Sequence, residues 1–220
     1  MSDLWEVLVR HFPEFRSGFL VTLELVAISL VIALGVGTVV GALRAAPSRW
    51  GRWLGGLYVE LFRNTPLLVL LYIAYLGLLD EGINVSPLAA GTASLGLYTA
   101  AYVAETIRSG VFSVSRGQIE ASLSMGMTHR QTLRHVVIPQ AIRTVIPPLG
   151  SLVIAMIKNS AIIGVALGLA DDLLKEARQI NARTFQTNEV FFWAAVGYLM
   201  LTVTATFAVR YLERHLAVRR

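Results

Sequence analysis

Lys158, Asn159 and Ser160 follow one another inside an apolar run, between LGSLVIAMI and AIIGVALGL. An ammonium group with no acid close by in sequence can receive a carboxylate. The amide and hydroxyl beside it can add hydrogen bonds to an amino or carboxyl group. The same lysine could instead pair with Glu24, Glu60 or Glu105 on another helix, or snorkel to an interface. A second polar set, Arg63-Asn64-Thr65-Pro66, brings Arg63 and Thr65 into the candidate binding group. Arg63 could also snorkel, pair with Glu60 one turn back, or form a gate or dimer contact. A third stretch, RGQIEASLSMGMTHRQTLRHVVIPQ at 116–140, is polar and basic, and rich in small side chains around Glu120, Ala121, Ser122 and Ser124. Small side chains let another protein approach closely, and Glu120 and the arginines supply polar contacts.

None of these sets is catalytic. His11, His129, His135 and His215 are scattered and form no H-E-x-x-H, and there is no G-x-S-x-G. With no cysteine there is no thiolate chemistry and no Cys-based metal site. A G-x-x-x-x-G-K-[ST] phosphate loop is also missing, so ATP chemistry, where needed, belongs to another polypeptide. The expectation is a non-enzyme without a cofactor of its own.

The elements that must position these residues are membrane helices. Of the 220 residues 55% are hydrophobic and only 15% charged, and the mean hydropathy is +0.62. Residues 18–43 carry a single formal charge, Glu24. That run exceeds the roughly 20 apolar residues a helix needs to cross a bilayer. Five spans are expected, at 18–43, 55–79, 88–107, 145–169 and 190–211, in one domain covering 1–220. Residues 1–17 lack the pattern of a cleavable signal. Trp5 and Phe12 read as anchors of an N-terminal interfacial segment.

Loop charges give the expected orientation. Arg44, Arg49, Arg52, Arg108, Arg116, Arg130, Arg134, Arg143, Arg210, Arg214, Arg219 and Arg220 all fall in alternating connections on one side. By the positive-inside rule that side is cytoplasmic and the N-terminus is outside. The net charge of +5 reflects this asymmetry. No basic patch interleaved with aromatics suggests nucleic acid.

The polar stretch reads as two short helices with a break. Ser115 with Gln118, and Thr128 with Gln131, fit capping boxes. Gly126 suits the turn that ends the first helix, and Pro139 disfavours helix at Ile138 and limits the second. Further along, Pro147 and Pro148 are expected to kink the fourth span or fix its start. Gly164 and Gly168 either loosen that helix or allow close packing. Glu105 and Arg108, three apart, are expected to pair, and Glu24 reads as interfacial. The segment around 171–180 reads as a helix.

GQIEASLSMGMTHRQTLRHVVIPQAIR resembles the EAA loop of bacterial ABC importer permeases, with Glu120-Ala121-Ser122, Gly126 and Ile138-Pro139 at the pattern positions and Ser where the pattern has a second Ala. YVELFRNTPLLVLL, AYVAETIRSGVFSVSRGQIEA and KNSAIIGV are similar to the polar amino acid subfamily. The Arg-Asn-Thr-Pro and Lys-Asn versions, with LERHLAVRR, resemble glutamate-type permeases of actinobacteria. The resemblance implies an all-α, type I ABC importer permease fold in the bacterial cell membrane. It implies that the loop at about 115–140, through Gln118, Glu120, Ala121, Ser122, Gly126 and Pro139, docks on an ABC ATPase present in two copies. Those ATPases would hold ATP and Mg. It further implies a second permease chain, identical or homologous, and an extracellular substrate-binding protein meeting residues 169–189. That segment could instead be an amphipathic helix resting on the membrane. An ion-coupled carrier is the rival reading, and the absence of internal repeats disfavours it.

Overall fold

The computed structural model of the chain describes residues 2–166 and 171–216, and its regular structure there is helical throughout. The first helix, α1 (Ser2–Ala45), runs from the N-terminal segment straight into the first apolar stretch and passes through Pro13 without a break. The N-terminal residues are therefore not a separate interfacial helix. After a three-residue link, Ser48 caps α2 (Arg49–Asn64) by accepting from the Gly51 amide. α2 ends at Thr65-Pro66, because Pro66 removes a donor and disfavours helix at the residue before it. The chain then turns by 102° into α3 (Leu67–Asp80), which contains a π-helical turn at Ile73–Gly77. The single span expected at 55–79 is thus a bent pair. Its first half is amphipathic. Gly51, Gly55 and Val59 face inward, while Trp50, Trp53, Leu54 and Leu57 are exposed.

α4 (Pro87–Phe112) begins on a Ser86 cap with Pro at its first position. α5 (Arg116–Ser124) follows. α6 (His129–Ala166) is continuous through a π turn at Leu133–Val137 and through Pro139, Pro147 and Pro148. Pro139 does not end a helix, as its sequence context suggests. The widened π turn before it precedes the ring, and the Gln140 side chain donates to the Val136 carbonyl at 2.9 Å. α7 (Leu173–Thr184) and α8 (Thr187–Leu216) complete the chain. Gly168, Arg219 and Arg220 lie outside the described residues.

By length and apolar composition α1, α6 and α8 can cross a membrane, and α2 with α3 can form a fourth crossing. α4 is about 39 Å long at 1.5 Å per residue but falls short on composition, because protein surrounds it. Twelve of its residues are buried, most of them Ala, Gly, Ser or Thr. Small residues are what allow helices to approach where lipid supplies no hydrophobic drive. A Cβ on Gly37 of α1 would lie 2.6 Å from the Val103 side chain of α4. Around α4, Leu25, Leu67, Leu71, Leu95, Met156, Ile157, Ile163 and Leu201 form the central core.

A second core caps one end. Leu173, Ala177 and Ile180 of α7 pack on Val7 and Phe15 of α1 and on Val190 and Ala194 of α8. The apolar face of α7 is therefore spent on the bundle and does not rest on a membrane surface. Trp193 Nε1 donates to the Leu4 carbonyl at 2.7 Å, and Arg183 bridges to Glu14 at 2.9 Å.

Glu105 pairs with Arg108 at 2.5 Å, as its spacing predicts, and also with Arg44 of α1. The Arg44 side chain is only 16% exposed. Removing its partner leaves a nearly buried cation uncompensated. Glu105→Ala is therefore expected to cost about 1.5–3 kcal/mol, read as a melting temperature several degrees lower in detergent. Arg108→Ala, which strips a more exposed arm of the cluster, should cost less.

Candidate functional site

Helical geometry separates the Lys158-Asn159-Ser160 triad. Successive residues are about 100° apart around an α-helix, so Lys158 and Ser160 face different sides. Ser160 is fully buried and donates to the Ile157 carbonyl at 2.7 Å. Asn159 is half-buried and Lys158 is exposed. Lys158 belongs to an exposed stripe of α6 that includes Thr144, Pro148, Ser151 and Val165.

Lys158 makes no ion pair among the described residues, and each carboxylate considered for it is placed otherwise. Glu105 is held by two arginines. Glu60 accepts from Asn64 at 2.9 Å, and Glu24 is exposed. Arg63 does not pair with Glu60 either. Its guanidinium lies 5.2 Å from the centroid of the Tyr102 ring, a cation–π contact. Thr65 donates to the Leu61 carbonyl at 2.8 Å, at the bend. Leu67 and Leu71, just past that bend, share a core with Met156 and Ile157. The bend is thus beside the turn that carries Lys158, although no hydrogen bond joins the two sets among the described residues.

The α5 segment folds back on the start of α6. Gly126 has φ +84° and closes the turn. Its amide donates to the Leu123 carbonyl at 2.9 Å, and the Met127 amide to the Ser122 carbonyl at 3.1 Å. The capping box at Thr128 and Gln131 is formed. The one expected at Ser115 is not: Ser115 is an N-cap without a side-chain bond, and the Gln118 amide donates to its carbonyl instead. Gln118, Glu120, Ala121 and Met125 are exposed and available to a partner. Ser122 is not, being 2% exposed. Its hydroxyl bonds that of Thr132 at 2.9 Å, bracing the two arms of the hairpin. Serine at this position therefore acts inside the hairpin. Pro139 is half-buried on α6, beyond the hairpin tip.

The sequence reading missed one site. Asp172 caps α7, accepting from the Lys175 amide at 2.8 Å, yet it is fully buried. Its only local signal is an aspartate before a helical run. Burial pushes the Asp172 carboxyl up to about 6 from about 3.9 in an unfolded chain. Between those values the folded state holds more protons than the unfolded one, so the group's contribution to stability falls as pH rises from about 4 to 6 and is flat above. Melting temperatures in detergent from pH 4 to 8 should show this fall relative to Asp172→Asn, which cannot titrate.

Residues 19–218 match the family of binding-protein-dependent transport system inner membrane components. The chain is 40% identical over 210 residues to a probable glutamine ABC transporter permease protein, GlnM, of Bacillus subtilis, covering 96% of each. It is 31% identical to the glutamate/aspartate import permease protein GltK of Escherichia coli, covering 97% of this chain and 98% of that one. The crystal structure of an amino acid ABC transporter with histidines superposes with a TM-score of 0.87 at 36% identity, covering 94% of this chain and 96% of that one. The chain belongs to this family. It is a membrane component of a binding-protein-dependent transport system, with the type I ABC importer permease fold.

Proposed function

We propose that this chain is the permease subunit of an ATP-driven importer of polar amino acids, with an acidic amino acid as substrate. The observation that carries the reading is Lys158, a cation on an apolar helix, exposed and without a carboxylate partner among the described residues. A charge at the centre of a bilayer costs roughly 2.5–3.5 kcal/mol on insertion scales. The stripe bearing Lys158 therefore faces protein or water, not lipid. A second permease chain, identical or homologous, facing this stripe would enclose a wet pathway. Lys158 and Asn159 would hold the substrate there by its carboxylate, with Arg63 and Thr65 of the bend nearby. Ser160 supports the helix from behind.

The α5 hairpin end is cytoplasmic in this reading, which the arginine distribution supports. Two ABC ATPases, which bind ATP and Mg, dock on Gln118, Glu120, Ala121 and the Gly126 turn. The opposite end, capped by α7, is outside and receives the substrate-binding protein. ATPase closure moves the hairpins and switches the pathway between inward and outward access.

The relative named as a glutamine permease favours a second reading, an amide substrate. Uptake of labelled glutamate into liposomes holding the whole complex, with unlabelled glutamate, aspartate, glutamine and arginine as competitors, separates the two. Aspartate should compete at concentrations where glutamine and arginine do not. Equal or stronger competition by glutamine would replace the acidic assignment.

A further inference from the structure

The Asp172 carboxyl lies where α6, α7, α1 and α8 meet. A Cβ on Gly164 of α6 would fall 1.8 Å from Asp172 Oδ1. The cap of α7 is thus seated directly on the backbone of α6, at the only kind of residue that leaves room. Two further ties hold the same junction. The Leu173 amide, at the start of α7, donates to Thr22 Oγ1 of α1 at 3.0 Å. Arg178 of α7 donates to the Val165 carbonyl at the end of α6 at 3.1 Å. α7 is therefore fastened to the last turn of α6 at two points.

Among the described residues, two atoms of the junction lack a hydrogen-bond partner, Asp172 Oδ2 and the Tyr198 hydroxyl of α8. Tyr198 is also a neighbour of Ser160 and Thr22. Ser160, Thr22 and Asp172 are fully buried.

α6 itself is one helix from His129 to Ala166, about 57 Å at 1.5 Å per residue. Its first residues close the α5 hairpin, Lys158 sits about two turns before its far end, and its last turn carries Gly164. We infer that Asp172 is a positioning residue. Seated on Gly164, it transmits a displacement of α7 at one end of the bundle along α6 to the hairpin at the other, so that docking on α7 accelerates the ATPases. This rests on the reading of the chain as an importer permease. What it adds is the route by which an event at α7 reaches the hairpin.

The test uses the assembled complex in liposomes, with ATPase rates measured with and without substrate-loaded binding protein. Asp172→Ser keeps a capping hydroxyl, which is too short to sit on Gly164. Gly164→Ala drives a methyl group into the carboxylate. Each is expected to leave the basal ATPase rate within twofold and to remove at least four-fifths of the stimulation by binding protein. Because both break one contact, the double variant should be no worse than either alone. Retained stimulation in Asp172→Ser overturns the inference. So does a basal rate that falls in parallel with the stimulated one, the mark of a merely structural residue, or losses that multiply in the double variant. If Gly164→Ala does not insert, Asp172→Ser alone decides. A wild-type complex that binding protein does not stimulate overturns the importer reading itself and is told apart by that control.

Discussion

Lys158→Met should lower uptake of an acidic amino acid ten- to a hundredfold while the chain still inserts and still assembles with its ATPase. The magnitude follows from the contact removed. A hydrogen bond to a charged group contributes about 1.5–3 kcal/mol, and each 1.4 kcal/mol is a factor of ten. Methionine has a similar length and no charge, and Lys158 has no ion pair among the described residues that its loss would leave broken. Folding should therefore be unaffected, and the melting temperature should stay within a few degrees. The measurement is initial uptake rate in liposomes together with co-purification of the ATPase. Uptake within twofold of wild type would remove Lys158 from the pathway. The variant also says which carboxylate is held. If Lys158 meets the side-chain carboxylate, glutamate uptake falls and any residual glutamine uptake does not. If it meets the α-carboxylate, both fall together.

Several features set by neighbouring residues were legible in the sequence, although the capping box expected at Ser115 does not form. The Thr128–Gln131 capping box, the Gly126 turn and the Glu105–Arg108 pair are of this kind, and each forms as its spacing predicts. An apolar run shows length but not direction. The stretch at 55–79 therefore read as one span, although Thr65-Pro66 turns the chain by 102°. Pro139 misled because a π turn upstream accommodates the ring, and nothing in the residue pattern announces that turn. The larger failures involve contacts across the fold. Ser122 looked like an exposed small residue until the hairpin closed it against Thr132. The apolar face of α7 could have met lipid, and only folding brings α1 and α8 against it. Asp172 became a buried junction because Leu173 meets Thr22, 151 positions away in sequence. The triad around Lys158 is the intermediate case. Adjacency suggested one site, yet helical pitch alone is enough to turn Ser160 away.

Gly126→Val is expected to abolish coupled uptake, with a loss of tenfold or more, while ATP hydrolysis continues. The reason is conformational. At φ +84° a side chain is strained whatever space surrounds it, and a Cβ there would meet nothing within 4 Å. Left-handed backbone at a residue other than glycine costs about 1–3 kcal/mol, and a β-branched residue is the hardest to place there. A hairpin that must keep its turn while it moves against another protein would lose that turn under load. Because crowding is not the cause, the series should follow backbone preference and not size. Gly126→Asn should keep at least half of the uptake, since asparagine tolerates the left-handed region. Gly126→Ala should fall between, and Gly126→Val should do worse than Gly126→Leu, although leucine is the larger side chain. Uptake and ATPase rates measured on the same liposomes test the order. If loss tracks side-chain volume instead, with leucine worse than valine and asparagine no better than leucine, then the surface of the hairpin tip, not its backbone, governs the coupling.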